Sequence, residues 1–172
     1  MEEGQKVRIG GIKFSEELVQ VTVARKSSED SSIYQLLHLI AERNINIPFL
    51  CHSVITKTPE SIFCVDRSDL GRIQQILNFS SFQNKHISII PSVGTLTLFP
   101  HRNCFKLLGL VISFFGRYGY PIHSLSTSIS AIALNTDYFM LNIIAENLQQ
   151  ILDLPENHAP FRQDFLVTQI QH

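Results

Sequence analysis

With 172 residues the chain is long enough for one ordinary domain or two small ones with a real core. Hydrophobic residues make up 44% and charged residues 17%, which excludes a disordered chain. The formal net charge of −1, with no Lys/Arg cluster beyond Arg25-Lys26, argues against nucleic acid as a partner.

Met1-Glu2-Glu3 opens on acid and lacks the charged-then-apolar pattern of a signal peptide, so a soluble cytoplasmic protein is expected. The segment VRIGGIKF (7–14) reads as a leading strand. Residues 18–24, LVQVTVA, alternate Val19, Val21 and Val23 with Gln20 and Thr22, the pattern of a half-buried strand. After the polar loop ARKSSEDSS (24–32), Ile33, Leu36, Leu37, Ile40 and Ala41 recur at helical spacing. Asp30, Ser31 or Ser32 is placed to cap that helix. A strand follows at 46–53, a turn at 56–60, a strand at 61–66, a helix bearing Leu70, Ile73, Ile76 and Leu77, and a strand at 86–90.

The same order then recurs: strand 93–99, helix 104–118 capped by Asn103, strand 121–128, and strand 130–135. Helix 137–152, capped by Thr136 or Asp137, and strand 164–170 complete it. At an offset of 75, Val21-Thr22-Val23 falls on Leu96-Thr97-Leu98, Leu37 on Ile112, and Ile40 on Phe115. Ile45–Ser53 falls on Tyr120–Ser128, and Ile73–Leu77 on Leu148–Leu152, with a register slip expected only between the third strand and the second helix. Two β-α-β-β-α-β units define an α+β fold of ferredoxin-like type, with antiparallel sheets and helices on one face.

Helix 104–118 is apolar on nearly every side. Leu107, Val111, Phe114 and Phe115 cover one face, and Phe105, Leu108 and Ile112 much of another. One sheet buries a stripe of only about 100°, so the surplus implies a neighbour, which is the other repeat, another chain, or both; a homodimer is expected, beside the alternative of a helix sandwiched within the monomer. The run Phe105–Phe115 is broken by Lys106, Gly109 and Ser113 and is shorter than the roughly 20 residues of a membrane span, so no membrane is expected as a partner.

Enzyme signatures are missing: there is no GxSxG, HExxH, P-loop, GxGxxG or CxxC. The adjacent acids Glu16-Glu17 and Glu29-Asp30 define no acid/base geometry. Cys51, Cys64 and Cys104 lack metal or redox spacing and read as reduced, buried thiols, with Cys51 and Cys64 on neighbouring strands. A non-catalytic protein without metal or cofactor is the expectation.

The wording of the doubled unit resembles the tandem ACT-domain regulatory region of aspartate kinases. "VRIGGIKFSEELVQVTV" (7–23) is similar to that family's leading strand followed by the first ACT strand. "LIAERNINIPFL" (39–50) resembles its helix-end signature of Leu-Ala-Glu, two variable positions, and Ile-Asn-Val. "IFCVDRSDLGRIQQIL" (62–77) and "SLSTSIS" (124–130) follow its phrasing in the first and second units.

The resemblance covers essentially the whole chain and implies a free-standing regulatory module, since 172 residues leave no room for the kinase fold. It implies residues 1–16 as a leading strand packed with the second unit, 17–91 as the first ACT-like unit, and 92–172 as the second. It further implies side-by-side units with an amino-acid effector bound between them.

By resemblance, Asn46 and Ile47 offer groups to the effector, and His52 stands at a family Gln. Ser28, Glu29 and Asp30 supply groups from the first loop. The corresponding second-copy positions are Arg102 and Asn103 in FPHRNC (99–104), with Pro121 and Ile122 beyond the helix. A zwitterion needs donors for its carboxylate and acceptors for its ammonium, and a helix N-terminus beside a strand edge is expected to supply the donors.

Alternatives stand beside these roles: Asn46 as a turn residue after Asn44, His52 as a strand-surface histidine, and Arg102 as a solvated loop residue. The first loop lacks the family's Gly and Pro, and Pro121 lacks an N–H. These departures favour the alternative of an ACT-type assembly module without a ligand.

Overall fold

The computed structural model describes residues 6–24, 32–52, 60–79, 82, 86–99 and 105–156. In chain order the strands and helices are β1 (Val7–Arg8), β2 (Gly11–Phe14), β3 (Leu18–Ala24), α1 (Ser32–Glu42), β4 (Phe49–His52), β5 (Glu60–Asp66) and α2 (Leu70–Leu77). There follow β6 (His86–Phe99), α3 (Phe105–Tyr118), β7 (Ser124–Thr127), β8 (Ile132–Asp137), α4 (Leu141–Leu148) and β9 (Leu152–Asp153). The strands at 86–90 and 93–99, expected as two, are one strand of 14 residues. The expected strand at 164–170 lies outside the described residues.

β6 belongs to both units. Its first part pairs with β3, completing the order β4-β5-β3-β6, and its second part pairs with β8, giving β6-β8-β7. On the remaining edge of that second part, β2 pairs antiparallel from Gly11↔Phe99 to Phe14↔Leu96. The start of the chain is also tied to its last described strand: β1 runs parallel to β9, with Val7 N donating to Ile151 O (2.9 Å). Each unit thus has four antiparallel strands and two helices, a doubled ferredoxin-like, ACT-type α+β fold.

Period-2 alternation aims one face of each half-sheet at its helices. In the first unit Val19, Val21, Val23, Phe63 and Val65 meet Ile33, Leu36, Ile40, Ile73 and Ile76. In the second, Leu96, Leu98, Ile132 and Leu134 meet Leu107, Val111, Phe115, Leu141, Ile144 and Leu148, and Ile12 joins from β2. The surplus apolar surface expected on α3 is real in part: Ile112 stays exposed, whereas Leu108 packs partly against this core.

Gln20, read as the polar face of a half-buried strand, is buried. The reason is a fold in the sheet. In hydrogen-bonded order β5 and β8 are separated by β3 and β6, so a flat sheet would hold them about 14 Å apart. Yet Asn135 Nδ2 of β8 lies 3.2 Å from Cys64 Sγ of β5. The helix-free faces of the two half-sheets therefore lie against each other. The bend coincides with an irregularity in β6. Leu18 pairs Val93 and Gln20 pairs Ile90, so Pro91 and Ser92 of β6 oppose the single Val19 of β3, and Pro91 has no N–H to give the ladder.

The repeat follows one offset only up to the fourth strand. Phe49↔Cys64 corresponds to Ser124↔Asn135, and Leu18↔Asp66 to Val93↔Asp137. Beyond the hairpin the offset is 71, because eight residues separate the paired His52 and Ser61, and four separate the paired Thr127 and Ile132. The slip thus precedes the third strand instead of following it. α2 answers to α4 as Leu70 to Leu141, and the match of Ile73–Leu77 with Leu148–Leu152 is not a structural equivalence. The second helix of the second unit is also shorter than expected. Residues Tyr138–Met140 form a 3₁₀ turn before Leu141, and Asp137 makes no side-chain cap there.

Thr136 occupies the place of Val65, on the helix side of the sheet, and its Oγ1 is buried with no hydrogen-bond partner among the described residues. Thr136→Val keeps the shape and removes the stranded hydroxyl. It is expected to raise unfolding free energy by about 1–2 kcal/mol in urea denaturation. An unchanged or lowered midpoint would mean that the hydroxyl has a partner.

Candidate functional site

α1 and α3 end in the same way. Asn44 adopts φ 53°, its N–H donates to Ala41 O (2.9 Å), and Ile45 N donates to Ile40 O (3.2 Å). Gly119 adopts φ 68°, with Gly119 N to Gly116 O (3.4 Å) and Tyr120 N to Phe115 O (2.9 Å). Both are Schellman ends, and each is closed by an apolar contact, Ile45 in the core with Ile40, and Tyr120 edge-on to Phe115. The turn belongs to Asn44, leaving Asn46 exposed and without a part in it.

From these ends the chain runs into β4 and β7. Among the described residues β4 pairs only with β5, and β7 only with β8. Each is an edge strand whose alternate N–H and C=O groups point outward. Asn46 and Ile47 follow the C-terminus of α1, which stops at Glu42 before the turn. The carbonyls at the end of α1 are already engaged: Ile40 O and Ala41 O accept from the Schellman turn, Leu39 O accepts from Arg43 Nη1 (3.2 Å), and Arg43 O accepts from the Arg72 guanidinium. Ile47 is half-buried against the first unit's core, and in the second copy Pro121 is half-buried and Ile122 exposed.

His52 lies at the far end of β4, up to about 20 Å of extended chain from Asn46. Its Nδ1 lies 2.7 Å from the buried Ser61 Oγ, and the exposed Tyr34 ring of α1 stands edge-on at 6.0 Å. Within one chain, then, Asn46 precedes β4 and His52 ends it. Ser28, Glu29, Asp30, Arg102 and Asn103 lie outside the described residues. In the second unit His123, absent from the expected set, donates from Nε2 to Asp137 Oδ1 (2.8 Å), which is where the expected capping group is engaged.

Sequence reasoning also missed a buried polar cluster between the half-sheets. Asn135 Nδ2 faces Ser124 Oγ (2.7 Å) and Gln20 Oε1 (3.3 Å) as well as Cys64, and Ser124 Oγ donates to Gln20 Oε1 (2.8 Å). Thr95 Oγ1 donates to Asn135 Oδ1 (2.6 Å). The available signal was the amide in the middle of LVQVTVA, with a polar Asn in the strand IALNTD. Around the cluster pack Leu18, Phe49 and Val93. Cys64 is buried as expected, and Cys51 is half-buried. Burial pushes the Cys64 thiol from the usual 9.0 up to about 12, against the opposing effect of the Asn135 hydrogen bond.

A doubled ACT-type unit whose free edges follow two matching helix ends defines the class of fold. Among solved structures it is the fold of the regulatory region of aspartate kinases. The structure of aspartokinase alpha and beta subunits superposes with TM-score 0.71 at 19% identity, covering 83% of this chain and 97% of that one. The ligand-free regulatory subunit of aspartate kinase from Thermus thermophilus gives 0.71 at 11%, over 84% and 99%. Aspartokinase III of E. coli in complex with lysine and aspartate (T-state) gives 0.63 at 10%, over 89% of this chain and 35% of that one. No family model matches the chain, and no curated protein matches it by sequence.

Two measurements test these assignments. Asn44→Ala is expected to cost about 1–2 kcal/mol of stability, because Ala is strained in the left-handed region. Asn46→Ala should stay within about 0.5 kcal/mol of the wild type. Equal losses would return the turn to both residues. For Cys64 the unfolded chain releases its proton above pH 9.0 while the folded chain retains it to about 12. This group therefore adds no pH dependence below 9.0 and lowers stability as pH rises from there. Urea midpoints on either side of that pH should fall less steeply in Cys64→Ala than in the wild type.

Proposed function

We propose that this chain is a non-catalytic regulatory module that binds a small effector, an amino acid, where the free edges of its ACT-like units pair, and that it does so as a cytoplasmic homodimer. The division taken with this reading is 1–16 together with 92–172 as one unit and 17–91 as the other. The pairing of β2 with β6 and their shared core support it. The observation carrying the reading is the pair of edges, β4 and β7, each with one partner strand among the described residues and each entered from a Schellman-ended helix.

The helix-free faces are already used against each other inside the chain, which leaves the β4 and β7 edges among the surfaces open to a second copy. Joining β4 of one chain to β7 of another, twice, closes a two-fold dimer without leaving an open edge at either strand. Leu50 and Ile122 lie exposed along those edges, and both would be covered. The exposed Asn46 then offers its side-chain amide, whose oxygen is an acceptor of the kind an ammonium needs, and Ser28, Glu29 and Asp30 are the further contacts this reading assigns. The solved aspartokinase III carries lysine and aspartate, which supports an amino acid as the ligand class. An effector favouring one packing of the edges would act by population shift.

Pro121 favours a second reading for the β7 edge, assembly without a ligand, since it has no N–H to offer. Thermal-shift measurements with the twenty amino acids separate the two. A ligand at 100 times its dissociation constant should add about 2.7 kcal/mol, and Asn46→Ala should reduce that gain. No shift with any amino acid, from a protein that elutes as a dimer by light scattering, supports assembly alone. A monomer at micromolar concentration removes both readings.

A further inference from the structure

The two helix-free faces meet on equivalent positions that carry different side chains. Register aligns Gln20, Cys64 and Phe49 across β3, β5 and β4, and Thr95, Asn135 and Ser124 across β6, β8 and β7. We propose that the Gln20–Ser124–Asn135 network is a conformational lock, holding the edge strand β7 from the opposite unit so that both free edges respond as one body.

β7 has four residues and a ladder on one side only, which by itself is a weakly held strand. Its buried residue, Ser124, is fixed by a hydrogen bond to Gln20 of the other unit and by another from Asn135. Phe49 reaches the same junction from β4, packed with Cys64 and Val93. One face of the junction thus touches both edge strands.

The network also selects a single alignment. Sliding β3 by one residue puts Val19 or Val21 in the place of Gln20, since side chains alternate between faces. The Asn135 amide and the Ser124 hydroxyl would then face apolar groups while buried, a state that hydrogen-bonding groups avoid. A displacement of β7 accordingly strains Gln20, and through β3 and β5 it reaches Phe49 and β4. The route is a contiguous packed chain of named contacts, and it holds whether or not any ligand binds.

Hydrogen exchange followed by mass spectrometry on the full chain tests the lock. Ser124→Ala removes the hydroxyl with little change in volume. It is expected to speed exchange at 124–127 by about tenfold, roughly one hydrogen bond's worth, with a parallel rise at 49–52 and none in α2. Gln20→Met changes only the first unit and should give the same pattern, the reciprocal that a lock requires. Faster exchange confined to 124–127, no change at either edge, or a uniform rise that includes α2 would each overturn the proposal.

Discussion

One strand serves two sheets, and the way it bends sets the rest. β6 gives its first part to β3 and its second to β8, so the units cannot move apart without bending or unpairing a strand they share. Helices cover one face of each half-sheet. The other face would present a row of half-apolar side chains to water, and the extra residue near Pro91 bends β6 so that the two faces cover each other. In that junction the copies have diverged in a complementary sense. The first unit contributes the larger Phe49 and Ile62 where the second contributes Ser124 and Ala133, and Cys64 meets the amide of Asn135. Large meets small, and the buried amide finds acceptors on both sides. A symmetric junction of two large sets would overpack, and one of two polar sets would leave groups unpaired.

With those faces covered, open main-chain groups among the described residues lie on strand edges, at β4 and β7 and also at β2. β4 and β7 lie at opposite ends of the strand order and are short, both features that limit unwanted pairing with other chains. Their approach is fixed by the helix ends. Asn44 and Gly119 take the left-handed turn, so the next residues leave the helix at a defined angle and reach the edge in register. The chemistry at the two edges differs within that shared geometry. Asn46 keeps an N–H and an amide where Pro121 has neither, and His52 with Ser61 answers to Thr127 with Ile132. The backbone scaffold is duplicated while the side chains able to recognise anything are not.

Much of this fold was legible because its helices and strands carry strong periodic patterns. The four helices among the described residues and most strands follow directly from apolar spacing, and the doubled order follows from repeated landmarks up to Ser53 and Ser128. The losses have identifiable causes. Pro91 and Ser92 look like a break between strands, yet a bulge admits both inside β6. The Gln-Gln match at constant offset pointed to the wrong helix register, because a hairpin four residues shorter leaves no trace in composition. Gln20 in an alternating strand reads as solvent-facing, and only a second sheet lying over it makes it buried. Of the candidate site, the helix-end motif was legible, but which Asn makes the turn depends on φ, which spacing does not encode.

Burial of polar groups at the junction also bears on why a duplicated chain would keep one arrangement. Apolar faces slide at small cost, since any contact is nearly as good as its neighbour. An amide with several acceptors is satisfied in one alignment and stranded in the others, so Asn135 trades some stability for uniqueness. The same residue answers to Cys64 in the first unit, and those two groups touch across the junction. Equivalent positions that meet at a pseudo-two-fold contact cannot both change freely: two Asn side chains would compete for the same acceptors, and two Cys would leave Ser124 and Gln20 with only each other. The residue at one of these positions therefore constrains what fits at the other. The units are equivalent in backbone because the fold demands it, and unequal in side chains because the contact between them does.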